Sequence, residues 1–262
     1  MINLNFGLFW CGGKISYLRY LTFKTLRHFH PDAKIDFVIS KNYNKDVHKW
    51  SVERQDFERN NDIIDYKDKI RDLNVNIKEI DYFIDASYCP VYQADLFRWW
   101  YLYNYGGFYL DTDQLILKSF NNLPLEHDFI YSQFANDDRP KYAPTGVLGC
   151  VKESEFAKIM MNVVPRSYSS SSYNSSGPFI LEFVLGRMTL NNSYNADPIL
   201  FYPIKCSKYV SKIYNGEFEI PKESICLHWY GAHPMSQEFN NNYTEEFAVK
   251  SNDTISRILR DL

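Results

Sequence analysis

Leu4 to Trp10 is an almost unbroken apolar run, and it reads as a first strand. It ends in the tight loop Cys11-Gly12-Gly13. Tyr17, Leu18, Leu21, Leu26 and Phe29 then recur at helical spacing, which predicts an amphipathic helix from about Ser16 to Phe29 with Ser16 as its N-cap. Pro31-Asp32 turns the chain into a second apolar run, Lys34 to Ile39. A strand–loop–helix–strand opening predicts a parallel sheet in an α/β fold, and ligands in such folds bind at the carboxyl ends of the strands. The Cys11-Gly12-Gly13 loop sits at such an end.

Between Asn42 and Tyr88 the pattern becomes polar and charged, with Trp50, Phe57, Ile63 and Ile64 scattered through it. This stretch reads as a helical insertion on the outside of the sheet, with a short strand returning near Ile77 to Ile84. Val91 to Tyr105 is apolar on nearly every side and is predicted to be a buried helix closed by Gly106. Two charged residues interrupt it, Asp95 and Arg98, which share a helical face at a spacing of i and i+3. Buried charges are costly unless paired or used, so the two form either a structural ion pair or part of a site. Phe129 to Phe134 and Thr145 to Cys150 read as strands, and the loop Ala135 to Pro140, which contains Asn136, is placed to face a substrate. Glu155 to Val164 reads as a helix. Ser167 to Ser176 is a serine-rich surface loop or lid, and Gly177-Pro178 opens a helix running to about Met188. Ile199 to Tyr202 and Ile225 to His228 are short strand candidates, and Tyr243 to Leu262 is an amphipathic C-terminal helix.

Composition narrows the function without fixing it. The chain has 262 residues, 45% of them hydrophobic, which suits one large domain. With 29 basic and 32 acidic residues the net charge is −3, and the basic excess of a nucleic-acid binder is lacking. The five cysteines contain no CxxC pair, which argues against a zinc site and for reduced thiols in the cytoplasm. No signal peptide or transmembrane span is expected. There is also no P-loop, no Gly-x-Gly-x-x-Gly, no His-Glu-x-x-His and no Gly-x-Ser-x-Gly.

The chemistry concentrates at Gly106-Gly107-Phe108-Tyr109-Leu110-Asp111-Thr112-Asp113. Asp-x-Asp by itself is commonly a solvated turn. Here the pair follows a hydrophobic strand, occurs once in the chain, and precedes a return to apolar character at Gln114 to Leu117. A strand that delivers two carboxylates to a sheet edge offers hard oxygen ligands to a divalent cation, and such a cation binds phosphates at the same time. The expectation is a metal-dependent nucleotide-sugar site.

Ala94-Asp95-Leu96-Phe97-Arg98 followed by Tyr101 through Asp113 resembles glycosyltransferases with a DXD-containing sugar-binding region. That group includes yeast initiating mannosyltransferases and bacterial capsule transferases of polysaccharide biosynthesis, with the catalytic domains of clostridial glucosylating toxins more distant. The resemblance implies a GT-A fold, a Rossmann-like nucleotide-sugar-binding domain spanning residues 1–262. It implies a nucleotide-sugar donor, Mn2+ or Mg2+, and retention of anomeric configuration. Asp95 and Arg98 match positions that bind the donor sugar's hydroxyls, and Asp111 and Asp113 match the DXD. Phe9-Trp10-Cys11-Gly12-Gly13 resembles the family's first strand and loop, which brings Trp10 and Gly12 beside the nucleotide. Ser176-Gly177-Pro178 is similar to a Gly-Pro turn near the acceptor. Leu227-His228-Trp229-Tyr230-Gly231 partly matches a closing His-x-x-x-Ser-Trp region, making His228 the third metal ligand, with His233 as its alternative.

The expected function is transfer of a hexose from a nucleotide sugar, UDP-hexose before GDP-mannose, to a glycan or other hydroxyl. The rival is a non-catalytic nucleotide-sugar or glycan-binding module of the same fold. A two-metal phosphohydrolase is disfavoured, because no second acidic cluster is available.

Overall fold

The computed structural model describes residues 1–42, 64–85, 88–136, 139–169, 172–206 and 208–262. Strand β1 (Asn5–Cys11), helix α1 (Tyr17–Phe29) and strand β2 (Lys34–Ser40) form the expected opening. Ser16 caps α1, its side chain accepting from the Arg19 N–H. Of the expected insertion, residues 43–63 lie outside the described residues; the chain then forms helix α2 (Lys67–Arg71) and strand β3 (Asn76–Ile80). Helix α3 (Pro90–Tyr105) is the apolar helix, and it leads into β4 (Gly107–Leu110) and β5 (Gln114–Ile116). Strands β6 (Phe129–Ser132), β7 (Phe134–Asn136), β8 (Arg139–Tyr142) and β9 (Val147–Cys150) come next. They are succeeded by helices α4 (Glu155–Ser167) and α5 (Pro178–Leu185), strand β10 (Ser193–Ala196) and helices α6 (Pro198–Phe201) and α7 (Ser211–Tyr214). Strand β11 (Cys226–His228) and helices α8 (Pro234–Asn242), α9 (Glu245–Lys250) and α10 (Thr254–Arg260) complete the chain.

Among the described residues the central sheet has seven strands in the order β10-β6-β9-β4-β1-β2-β3. It is parallel apart from β9, which runs antiparallel to both β4 and β6. The α/β expectation holds. Strand alternation splits the core between the two faces. Phe6, Leu8 and Trp10 join Phe108, Leu110 and the α1 residues Phe23 and Leu26 on one face. Phe9, Cys11 and Tyr109 join Phe97, Trp99, Tyr101 and Leu102 of α3 on the other. Gly7 lets α3 lie flat on that second face, since a Cβ there would meet the Tyr101 ring at 2.4 Å.

Gly106 and Gly107 make the turn that brings β4 back under α3. Their φ values are +65° and +89°, and added Cβ atoms would strike the Lys152 nitrogen at 2.6 Å and the Asn5 carbonyl oxygen at 2.3 Å. The turn therefore needs glycine twice over, for conformation and for space. Two expectations are corrected. Ile199 to Tyr202 is not a strand: Pro198 occupies the first turn of helix α6, with Asp197 capping it. The C-terminal stretch from Tyr243 is not one helix but two, α9 and α10, each with its own cap, Thr244 and Asp253.

A third core lies outside α1. Its Tyr17, Leu18 and Leu21 pack against Leu115 and Leu227 of the antiparallel β5–β11 ribbon, and against Trp229, Tyr243 and Ile255. This packing fixes the ribbon, and with it His228, at the carboxyl end of β4.

Candidate active site

Asp111 and Asp113 leave the end of β4 and enter β5, and α1 holds the residue between them. The Arg19 guanidinium donates to Thr112 Oγ1 at 2.6 Å, and Thr22 Oγ1 donates to the Thr112 carbonyl at 2.7 Å. With Thr112 tied back, the two flanking carboxylates project the other way. Asp113 Oδ2 accepts the Gly231 N–H at 2.7 Å, and His228 Nε2 stands 2.9 Å from Asp113 Oδ1. Asp111 Oδ1 accepts from the Tyr109 hydroxyl at 2.7 Å.

Asp95 and Arg98 reach the same place from α3. Arg98 Nη1 contacts Asp95 Oδ1 at 2.9 Å, its Nη2 stands 3.6 Å from Asp111 Oδ1, and its guanidinium lies 4.8 Å from the centre of the Tyr109 ring. Arg98 also donates to Thr145 Oγ1. Ser176 Oγ donates to Asp95 Oδ2 at 2.7 Å. Arg98 thus bridges the helix carboxylate to the first aspartate of the pair.

These surroundings push the carboxylates in opposite directions. Burial pulls Asp113 upward, but His228, Arg19 and the Gly231 N–H outweigh it and hold the group down at about 2. Asp111 is raised by burial, with Arg98 opposing, though 28% of its side chain is exposed and water softens the push. Asp95 is raised by burial against the pull of Arg98 and Ser176. Burial lowers His228, but the two aspartates overcome it and leave the imidazole above its ordinary value.

One ligand atom each from Asp111, Asp113 and His228 falls within 4.8 Å of the others. Two carboxylates and an imidazole suit Mn2+ or Mg2+ better than a soft metal. His233 is not part of this group: its Nδ1 accepts from the Met235 N–H at 3.3 Å as the cap of α8. A cavity of about 510 Å3 opens over Asp95, Arg98, Asp111, Asp113 and His228, walled by aromatic residues that include Phe134, Tyr142, Phe179 and Tyr230. A smaller one of about 100 Å3, beside Trp10, Arg19 and Thr112, shares Arg98, Asp111 and Asp113 with it.

The remaining expected residues are placed less uniformly. Trp10 lines the smaller cavity, but it is only 6% exposed; its Nε1 donates to the Gly13 carbonyl and Arg19 lies 4.1 Å from its ring centre. Gly12 lines neither of these cavities; its φ is +120° and its N–H donates to the Ser40 carbonyl. Gly177 abuts the site, where a Cβ would come within 2.9 Å of Asp95 Oδ1. Asn136 ends β7 opposite Arg139, and its side chain is outside the described residues. Sequence reasoning gave no role to Arg19, Tyr109 or Thr145. Tyr109 was signalled by alternation on β4, which turns it toward α3; the others are brought in by distant elements.

Residues 20–130 match the model of a protein family described as the glycosyltransferase sugar-binding region containing the DXD motif. That match covers less than half of the chain. Among solved structures the chain shares its fold with the PaToxG glycosyltransferase, at 18% identity over 70% of this chain and 69% of that one, with a TM-score of 0.50. A glycosyltransferase involved in the glycosylation of the major capsid of PBCV-1 is similar at 12% identity, 89% and 98% coverage and a TM-score of 0.47. GlyE of Streptococcus pneumoniae is similar at 13% identity, 96% and 65% coverage and a TM-score of 0.47. No curated protein matches the sequence. The central sheet with its carboxylates at one edge is the GT-A arrangement expected from the sequence. No helix among the described residues is long and apolar enough to cross a membrane.

Proposed function

We propose that this chain is a metal-dependent, retaining glycosyltransferase that moves a hexose from a nucleotide sugar, UDP-hexose before GDP-mannose, to a hydroxyl of a glycan or another hydroxyl acceptor. The observation that carries the reading is the continuous polar line Asp95–Arg98–Asp111, which meets Asp113 and His228 along one wall of the larger cavity. Asp111, Asp113 and His228 would hold Mn2+ or Mg2+. A cation so bound supplies positive charge to the departing diphosphate.

The other steps fall to the chain itself. Asp95 is fixed by Arg98 and Ser176, so its carboxylate is already oriented to accept from a sugar hydroxyl. Arg98 stays charged beside three acceptors and links Asp95 to Asp111. Trp10 and Gly12 are assigned to the nucleotide side, Asn136 and Gly177 to the side of the sugar and acceptor. In a retaining transfer the acceptor hydroxyl attacks the face the leaving group departs from, and a donor phosphate oxygen takes its proton. We assign residues 1–262 to one catalytic domain, and place it in the cytoplasm, consistent with cysteines Cys11, Cys89, Cys150, Cys206 and Cys226 that are all free.

A screen of UDP- and GDP-sugars for Mn2+-dependent hydrolysis tests this reading. Release of UDP by the unaltered protein, lost in Asp111→Asn and Asp113→Asn, is the expected result. Calorimetric binding of UDP with Mn2+ but no turnover of any donor, with or without sugar acceptors, would overturn catalysis and favour the binding module.

A further inference from the structure

Gln114 is the first residue of β5, in a ribbon whose other members apart from His228 are Leu115, Ile116, Cys226 and Leu227. Its side chain is fully buried, and neither its Nε2 nor its Oε1 has a hydrogen-bond partner. A buried carboxamide left unpaired is a liability that leucine or methionine would avoid at this position. The register sets Gln114 directly opposite His228, and cross-strand neighbours in an antiparallel pair project from the same face. His228 has the complementary defect: Nδ1 and Nε2 are both buried and neither makes an aligned hydrogen bond, although Nε2 stands close to Asp113.

The orientation of the ring divides the roles of its nitrogens. Nε2 faces the aspartates, so a cation there requires Nε2 bare and the proton on Nδ1. A buried Nδ1–H needs an acceptor, and metal-ligating histidines commonly donate from the second nitrogen to a neighbouring oxygen. The Gln114 amide nitrogen lies 3.2 Å from the point where a Gly146 Cβ would sit, and Asp111 Oδ2 borders the same point at 2.8 Å. The amide nitrogen thus borders the same point as Asp111, while Oε1 and the His228 Nδ1 each lack a partner, so joining them takes a small adjustment of one side chain.

We propose that Gln114 is a positioning residue for His228: with a divalent cation bound, its Oε1 accepts the Nδ1–H of the imidazole and so holds Nε2 toward the cation. The inference rests on the reading of Asp111, Asp113 and His228 as cation ligands, and adds the group that sets the tautomer of the third.

Titration calorimetry with Mn2+ alone, on the unaltered protein and on Gln114→Met and Gln114→Glu, is the test. Gln114→Met keeps the volume and removes the acceptor; it is expected to bind Mn2+ about tenfold more weakly, with a metal-free unfolding midpoint no lower than that of the unaltered protein. Gln114→Glu keeps an acceptor and is expected to restore the affinity. Equal affinity in Gln114→Met overturns the role of Gln114 alone. No Mn2+ binding by the unaltered protein overturns the cation reading and this inference with it. Should Gln114→Met not fold, nitrogen chemical shifts of labelled histidine in the unaltered protein with Mg2+ decide the matter. The Nδ1–H tautomer of His228 is expected, and the Nε2–H tautomer would sink the proposal.

Discussion

Arg98 carries two loads that residue types alone could not separate. Spacing on α3 identified Asp95 and Arg98 as a charged pair inside an apolar helix, and left a structural ion pair and a sugar site as alternatives. The geometry makes them compatible. Arg98 is 4% exposed, touches Asp95, and extends to Asp111 and Thr145 on other elements. Removing it strands two carboxylates that burial already pushes toward protonation. Arg98→Ala is therefore expected to cost about 3–5 kcal/mol in urea unfolding at neutral pH, in addition to activity. Arg98→Lys should recover only part of that, because a lysine cannot present two nitrogens in a fixed fork. A loss below about 1 kcal/mol in Arg98→Ala would show that the pair has no structural share. Asp111 and Asp113 were legible because they lie next to each other at a strand end. Arg19 and Thr145 were not, because only the crossing of distant segments brings them near.

Long apolar or amphipathic runs were read closely: β1, α1, β2 and α3 start and stop within a residue of expectation. Short apolar runs were ambiguous, since four apolar residues fit a strand or a buried helical turn equally well. At α6 the decisive signal was Asp197-Pro198, a cap and a first-turn proline, rather than the run itself. Where β9 meets β4, Gly146 is the residue that an alternating pattern cannot explain. Its carbonyl accepts the Asp111 N–H at 2.8 Å, and a Cβ there would come within 2.8 Å of Asp111 Oδ2. The displaced group is the end of a side chain, which moves cheaply. Gly146→Ala is thus expected to leave the unfolding midpoint nearly unchanged while lowering kcat/KM for donor hydrolysis about a hundredfold through misplacement of one carboxylate. Unimpaired turnover would mean that Asp111 tolerates the shift and that its position is not critical.

At the scale of the whole molecule, the parallel half of the sheet was predictable from its strand–helix–strand rhythm, but the antiparallel insertion of β9 and the β10 edge were not. Those pairings join residues far apart in the chain and leave no local period. The same long-range packing creates a pH-sensitive point remote from the aspartates. His30, at the end of α1, is 4% exposed, its ring 4.8 Å from Phe6 and 5.7 Å from Phe120, and its Nε2 accepts the Phe120 N–H at 3.1 Å. Burial first, and Arg27 second, lower its pKa from 6.5 to about 4. Between these values the unfolded chain takes up a proton that the folded chain refuses, so acid favours unfolding. The stabilising contribution is fully present above pH 6.5 and is lost as pH falls toward about 4. On that shift alone the loss between about pH 7 and pH 4.5 is on the order of 2–3 kcal/mol. His30→Gln keeps an acceptor for Phe120 without a titrating group. It lowers stability at neutral pH by losing ring packing, but its urea midpoint should fall less steeply with acid than that of the unaltered protein. Parallel pH profiles for the two proteins would show that His30 is not the group that couples the fold to pH.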